Sequence, residues 1–474
     1  MTEFDLATAA VEAALAAGAS YADARVIRRR SETMSARNSE VEDLAQNESS
    51  GLGVRALVGS SWGFRATPDL TAAGAAQAGR TATEIATASA SVAGPPLRLI
   101  PTPARTDSWA NPFRIDPDSV AISDKGDLLV AATKLMTEHG ADLAEASYVT
   151  WDIGIWLVSS EGHRIDQRRR QCGGAASATV IGEHETQRRS LGDTGTAGWE
   201  LVEGLDLLGN APRLAEEARA LLSAPPCPAG TTDLILGGAQ MMMQIHESVG
   251  HAIELDRILG WEAAFAGTSW LDLAQLGSLR YGSELMNITA DPTIEGALGS
   301  FGYDDEGTPA QARDIVKDGI WVGVLAGRDS AAMAGLDYAG SVRSDGWSRM
   351  PMVRMTNVGL KPGPHTVDEI IAATDDGVYM DRNRSWSIDD KRLNFQFGCE
   401  IGWEVKNGKL GRMLRNPTYT GIGPVFWRSM DMLSDDIVPW GTPNCGKGQP
   451  GQIGHTGHPA APARFTGVRV GVRG

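Results

Sequence analysis

The stretch YVTWDIGIWLVSSEGHRIDQRRRQCGGAASATVIGEHETQRRS, residues 148–190, decides the fold class. Apolar and polar residues alternate through it, with breaks at Ser160-Glu161-Gly162 and at later glycines. Alternation interrupted by turn residues is the signature of an antiparallel meander, in which every second side chain faces one side of the sheet. A parallel sheet would need a helical segment between successive strands, and none is present here.

Moving upstream, residues 118–138 read as a helix, and 93–117 hold several prolines with little periodicity, which predicts a surface connection. Residues 71–88 are Ala-rich and helical. GLGVRALVGSSWGF (51–64) predicts a hairpin turning near Gly59-Ser60-Ser61, and 21–41 a strand or hairpin. Residues 4–17 form a helix that Gly18 stops. Downstream, a helix near 211–223 precedes Pro225, Pro226 and Pro228, which mark a domain boundary. TTDLILGG (231–238) is a strand, and a helix starts near Ala239. Beyond residue 265 the pattern is mostly short strands separated by Gly, Asp and Pro, with one helix near 366–374 and a non-helical Gly-rich stretch at 441–458. The expected class is α+β. Residues 1–226 form an N-terminal domain mixing helices with antiparallel strands, and 227–474 a β-rich C-terminal domain that carries the metal-binding helix.

Composition narrows the function. The net charge of −16, from 43 basic and 59 acidic residues, opposes non-specific binding to nucleic acid or anionic membrane. Arg28–Arg30 and Arg168–Arg170 are basic runs on predicted strands, where alternation splits each run between two faces, so neither makes a nucleic-acid groove. No run of about 18 apolar residues predicts a membrane span. The opening residues, acidic before their apolar part, do not read as a secretory leader. Cys172, Cys227, Cys399 and Cys445 are too few and scattered for a disulfide framework. A cytoplasmic protein is expected. The thirteen tryptophans are dispersed, which suits core or cavity lining better than a carbohydrate platform.

The chemistry concentrates in AQMMMQIHESVGHAIELDRIL (239–259), which contains His246, Glu247 and His251. Imidazoles are good zinc ligands, and a carboxylate beside them can take a proton from water. In the familiar HExxH string the histidines are four apart, on one helical face. Here they are five apart, about 140° round a regular helix. A π-type bulge would bring the rings together, and Gly250 is a plausible site for the distortion. Met241, Met242, Met243 and Ile245 read as core packing. A catalytic zinc site takes three protein ligands, so a third is needed. The candidates are Cys445, Cys399, His455, His458, Glu254 and Asp256. Arg343, Arg349 and Arg354 are candidates for binding a substrate carboxylate or carbonyl, and Tyr338 or His455 for stabilising an oxyanion. No residue is assigned to substrate binding. GTPNCGKG (441–448) resembles a phosphate loop but has Gly448 where Ser or Thr must bind magnesium, and Pro450 would break the following helix.

Taken in order, GLGVRALVGSSWGFRATPDL (51–70), HESVGHAIELD (246–256), SFGYDDEGTPAQ (300–311), RMPMVRMTNVGLKPG (349–363) and NCGKGQPGQIGHTGHP (444–459) resemble the TldD/PmbA family of metallopeptidases, in its catalytic TldD-like branch. The resemblance runs nearly end to end. By position it implies that His246, His251 and Cys445 hold Zn2+ and that Glu247 is the catalytic base. It also implies two-domain subunits that dimerise, commonly with an inactive paralogue, around a cavity admitting peptides or unfolded protein. One departure is visible: the segment after Cys445, Gly-Lys-Gly-Gln, is one residue shorter than the family pattern. The expected function is therefore a zinc-dependent peptidase. The rival classes are a non-catalytic subunit binding peptides or a partner, and a zinc hydrolase of non-peptide amides.

Overall fold

A computed structural model describes residues 1–91, 94, 96–265 and 267–471. The class is α+β, with antiparallel sheets and a barrel-like C-terminal sheet. The alternating stretch forms β5 (Leu143–Ser159), β6 (Arg164–Ile181) and β7 (Thr186–Gly195), joined as consecutive antiparallel neighbours. β5 also pairs with β1 (Tyr21–Arg37), which pairs with β2 (Glu40–Val58) and then β3 (Ser61–Thr67). The β1–β2 turn is Asn38-Ser39, both at positive φ, as a two-residue type I′ hairpin requires. The next turn places Gly59 at φ +61, at the predicted hairpin.

β4 (Thr106–Ala110) corrects the expectation of a connection without elements over 93–117. It joins the sheet edge, parallel to β6. Its side chains are mostly exposed, so no apolar alternation announces it; backbone pairing holds it, with the Tyr303 hydroxyl donating to Asp107. Residues 93 and 95 of that connection lie outside the described residues. Helix α1 (Glu3–Ala16) and α2 (Ala72–Ala90) cover one region of the sheet, where Leu6, Val11, Ala78 and Ala82 pack with Val26, Leu52 and Val54. α3 (Ile122–Glu138) and α5 (Leu207–Ser223), separated by the short α4 (Glu200–Gly204), cover another around Met34, Leu129, Tyr148 and Leu214.

β8 (Gly230–Leu236) opens the second sheet system. It pairs with Asp376–Ile388 on one side and Ala463–Val470 on the other. The path continues through Thr418–Ile422 and Asn394–Lys406. Because Asp376–Ile388 also pairs with Asn394–Lys406, the strands close on themselves. These two strands are 13 residues each, longer than the short strands expected beyond residue 265. Their partly polar, irregular middle, with a bulge between Asn383 and Ser385, hides the length from a reading by alternation. Phe395, Phe397, Tyr419, Phe426, Trp427 and Phe465 form stacked and edge-on ring pairs in this core.

Buried ion pairs join the first sheet to the segment 300–311. Arg25 pairs with Asp305 at 2.5 Å, and Arg55 bridges Asp23 at 2.5 Å and Glu306 at 3.2 Å. Breaking one partner of such a pair strands a buried charge, so these contacts specify the docking more than they stabilise it. The α1–α2 contact tests the packing. A Cβ on the buried helical Gly79 would collide with the Ala10 carbonyl. Gly79→Ala gains about 1 kcal/mol of helix propensity, but the overpacking costs about 1–3 kcal/mol. The expected outcome is net destabilisation, seen as a lower midpoint in chemical denaturation; a raised midpoint would contradict this packing.

Candidate metal centre

β8 runs through Gly237 into α6 (Gly238–Ile245), whose Met241 and Ile245 are buried in the C-terminal core, while Met242 and Met243 are half-buried. From His246 to Gly250 the helix widens to a π turn, and the His251 N–H donates to the His246 carbonyl at 3.2 Å, five residues back. The irregularity expected from the five-residue spacing is therefore present. The two rings lie 4.8 Å apart between centroids, nearly perpendicular. Gly250 is needed for a different reason from the one expected. Its backbone stays in the ordinary helical region, but a Cβ there would collide with the Met355 sulfur. The widened turn has its own supports. Tyr281 donates its hydroxyl to the Ser248 carbonyl at 2.5 Å, and the Trp427 indole N–H donates to Ser248 Oγ at 2.9 Å.

The hairpin Val438–Lys447 with Gln452–Ala460 carries Cys445 to the same place. Its approach is fixed by the Gly441 N–H donating to Asp193 of β7 at 2.8 Å, and by Arg354, which donates to the carbonyls of Cys445 and Gln452. One ligand atom each from His246, His251 and Cys445 lie within 4.8 Å of one another, and all three residues are buried. Among the described residues this is the one such group of His, Cys, Asp or Glu. Cys445 Sγ is 3.6 Å from His251 Nε2. Of the shortened segment after Cys445, Gly446 and Lys447 continue the strand and Gly448 and Gln449 enter the hairpin turn, with the thiol left at the site.

Hydrogen bonds set the face each imidazole presents. His458 Nδ1 is 2.9 Å from the Val358 carbonyl, which can only accept. Its Nε2 must then accept from His246 Nδ1, 2.8 Å away, and His246 Nε2 is left with a lone pair. His251 Nδ1 lies 2.9 Å from Glu254, which leaves its Nε2 facing Cys445. Rings oriented by a carboxylate or an acceptor chain on the far nitrogen are the usual outer arrangement of a metal site. Burial holds the His246 imidazole below its ordinary pKa, and His458 well below. Burial pushes the Cys445 thiol up, but His251 and Arg354 pull it down further, so the net is a lowered pKa. Two imidazoles beside a thiol whose ionised form is favoured are a donor set that fits a borderline-soft divalent cation.

Glu247 is buried beside the pair, and Arg392 donates to its Oε2 at 2.8 Å. Burial raises its pKa, but His246, His251 and Arg392 together bring it below the usual range. The remaining candidates separate. Glu254 and Asp256 hold the buried Lys447 ammonium at 3.3 and 2.8 Å. That lysine, part of the phosphate-loop look-alike, is an internal counter-ion on a strand. His455 bonds Gln171 at 2.8 Å, and Cys399 sits in the strand Asn394–Lys406, opposite Asn383. The Tyr338 hydroxyl accepts from the Val324 N–H. No local sequence pattern marks the roles of Arg392 and Lys447, and His458, a candidate ligand by residue type, orients His246 instead. If His458 orients His246, His458→Ala should weaken metal affinity about 10–100-fold while all three donors remain. A chelator-competition titration with unchanged affinity would refute the relay.

The chain matches the model described as the PmbA/TldA metallopeptidase C-terminal domain over residues 229–471, more than half its length, and that of PmbA/TldA metallopeptidase domain 1 over 22–86. It is 29% identical over 402 residues to a metalloprotease of Methanocaldococcus jannaschii, covering 85% of this chain and 86% of that one. It is 26% identical over 210 residues to the zinc metalloprotease TldD homolog of Saccharolobus solfataricus, covering 44% and 45%. The fold superposes on the crystal structure of TldE from Thermococcus kodakarensis with a TM-score of 0.76 at 15% identity, covering 98% and 99%. A β-rich half that matches the family's C-terminal domain throughout, and that holds the clustered histidines and cysteine, makes this chain a member of the PmbA/TldD family of metallopeptidases.

Proposed function

We propose that this chain is a zinc-dependent peptidase of the TldD-like, catalytic branch, with His246, His251 and Cys445 as ligands and Glu247 as the general base. The observation that carries the reading is the clustering of three donors from positions 246, 251 and 445, with Glu247 on the same widened turn. Zinc is favoured over harder cations by the thiol, and the relative from Saccharolobus solfataricus carries zinc in its name. A zinc ion bound by this set would act as a Lewis acid and lower the pKa of water.

The protein's own contribution is proton handling and orientation. Arg392 engages Oε2 of Glu247, which leaves Oε1 to accept the proton of the attacking water. The same carboxyl then delivers that proton to the departing amine nitrogen. Arg392 also keeps the group ionised between turnovers, since a buried carboxylate without a cation would be protonated. Glu254 and Lys447 lock the tautomer of His251 and the strand that carries Cys445.

Peptides and unfolded chains are the proposed substrates. Two domains, 1–226 and 227–474, are the proposed units, and among the described residues no strand is shared between their sheets, which favours that division. A dimer, with a second copy or a TldE-like paralogue enclosing the site, is the proposed assembly; the fold shared with TldE supports it. A cytoplasmic location suits a site that needs a reduced thiol, and all four cysteines are free. No helix among the described residues is long and apolar enough to cross a membrane.

Glu247→Gln should retain one zinc per chain and lose at least about 100-fold in kcat, the usual scale for removing a general base. Cys445→Ala should lose both metal and activity. Metal analysis paired with cleavage of an unfolded protein measures both. A Glu247→Gln protein that cleaves at the wild-type rate would remove the assigned base.

A further inference from the structure

The two basic runs set aside in the sequence have a use that their charge count conceals. Arg29 on β1 and Arg169 on β6 both sit laterally opposite Ile153 of β5, so the middle arginine of each run lies on one face of the sheet. Arg28, Arg30, Arg168 and Arg170 fall on the other face, where Arg30, Arg168 and Arg170 share Asp152. Across from Arg29 and Arg169 stand Arg343 and Arg354. The four arginines line one cavity, which also touches Gly454, the strand partner of Cys445. The cavity is therefore next to the metal centre, on the flank of the hairpin that supplies the thiol.

These charges are only partly neutralised from within: Asp345 attracts Arg29, and Asp305 attracts Arg169 and Arg343. Arg29 donates to the Asp345 carbonyl, Arg343 to the Met355 carbonyl, and Arg354 to the carbonyls of Cys445 and Gln452. Arg169, only 9% exposed, makes no hydrogen bond and no ion pair with any described residue. Asp345 is the one carboxylate lining the cavity, and it accepts the Ile453 N–H. Asp305, nearby, is occupied by Arg25 and Ser344. Burial and the neighbouring arginines push Arg343 down to about 9 and His455 to about 3. Four like charges kept together in a buried site with a single lining carboxylate point to an absent anion. Paired guanidinium forks suit a planar carboxylate, and the Nε–H groups of Arg169, Arg343 and Arg354 have no hydrogen-bond partner of their own among the described residues.

We propose that the cavity between Arg29, Arg169, Arg343 and Arg354 is a subsite for a carboxylate of the peptide substrate. The identity of the ligand rests on the peptidase reading; the anion site itself does not. The carboxylate comes either from a free C-terminus, which would make the enzyme act near chain ends, or from an acidic side chain near the scissile bond.

Zinc-loaded, full-length Glu247→Gln protein allows binding to be measured without turnover. Calorimetric titration would compare an N-acetylated tetra-alanine acid, the same peptide as its C-terminal amide, and an amide with one internal glutamate. The acid should bind at least about tenfold tighter than the plain amide, as expected for a charge-assisted bidentate contact. A glutamate amide that matches the acid assigns the site to side chains; one that matches the plain amide assigns it to C-termini. Arg169→Met should reduce the preference to less than about twofold while the melting temperature stays level or rises, because an unpaired buried charge has been removed. The half-buried Arg29→Gln gives a second, milder variant with the same direction of effect. Equal affinity for all three peptides, or a preference intact in both variants, overturns the subsite. Wild-type protein that shows the preference yet cleaves no peptide would keep the anion site and sink the peptidase reading instead.

Discussion

The i-to-i+5 turn between His246 and His251 is the constraint on which the site depends. A regular helix would point the two rings about 140° apart, and no cation could take both. Widening the turn by one residue leaves backbone groups that must be satisfied in a dry core, and this fold supplies the partners. Tyr281 and Trp427 bond Ser248, the middle of the widened segment, from different elements. The closed strand system around Phe397, Tyr419 and Phe465 surrounds the helix with apolar contacts. Gly250 lets Met355 press against the turn. The distortion is thus over-determined by packing, as strain at functional sites must be if it is to persist.

A second level of order is electrostatic. Three buried chains of polar contacts converge on the donors: Val358–His458–His246, Lys447–Glu254–His251, and Arg392–Glu247. Each ends in a group that fixes either a tautomer or a charge. Lys447 follows Cys445 by two residues, so the same strand delivers the thiol to the site and an ammonium to the carboxylate behind His251. Removing one member would leave its partner charged or unpaired in a low-dielectric interior, which is why such chains behave as units. The hairpin itself is held by Asp193 of the first sheet and by Arg354. Docking of the two halves of the chain and assembly of the metal centre are therefore linked.

What the sequence disclosed follows from the range of each interaction. The meander, the hairpin at Gly59 and the α+β class arise from local alternation and turn chemistry, and all were legible, whereas 21–41 read only as a strand or hairpin, without the turn at Asn38-Ser39. The five-residue spacing of His246 and His251 was legible too, because helical geometry alone demands a bulge there. The reason for Gly250 was not, since it lies in the sulfur of Met355, about a hundred positions away. His458, Arg392 and Lys447 are brought in by pairings that no local pattern encodes, and Lys447 was hidden inside a motif resembling a phosphate loop. β4 was missed because an edge strand with exposed side chains leaves only backbone pairing as its signal. The middle arginines of the two basic runs show the opposite case. Strand alternation splits each run between two faces, as expected, and the same alternation sets Arg29 and Arg169 on one face.

X-ray absorption spectroscopy of the zinc-loaded protein tests the central claim most directly, since it counts sulfur and nitrogen neighbours without reference to activity. The account predicts one sulfur at about 2.3 Å and two imidazole nitrogens at about 2.0–2.1 Å, with the sulfur shell absent in Cys445→Ser. A zinc shell without sulfur in the wild-type protein, or a sulfur shell that survives the loss of Cys445, would contradict it.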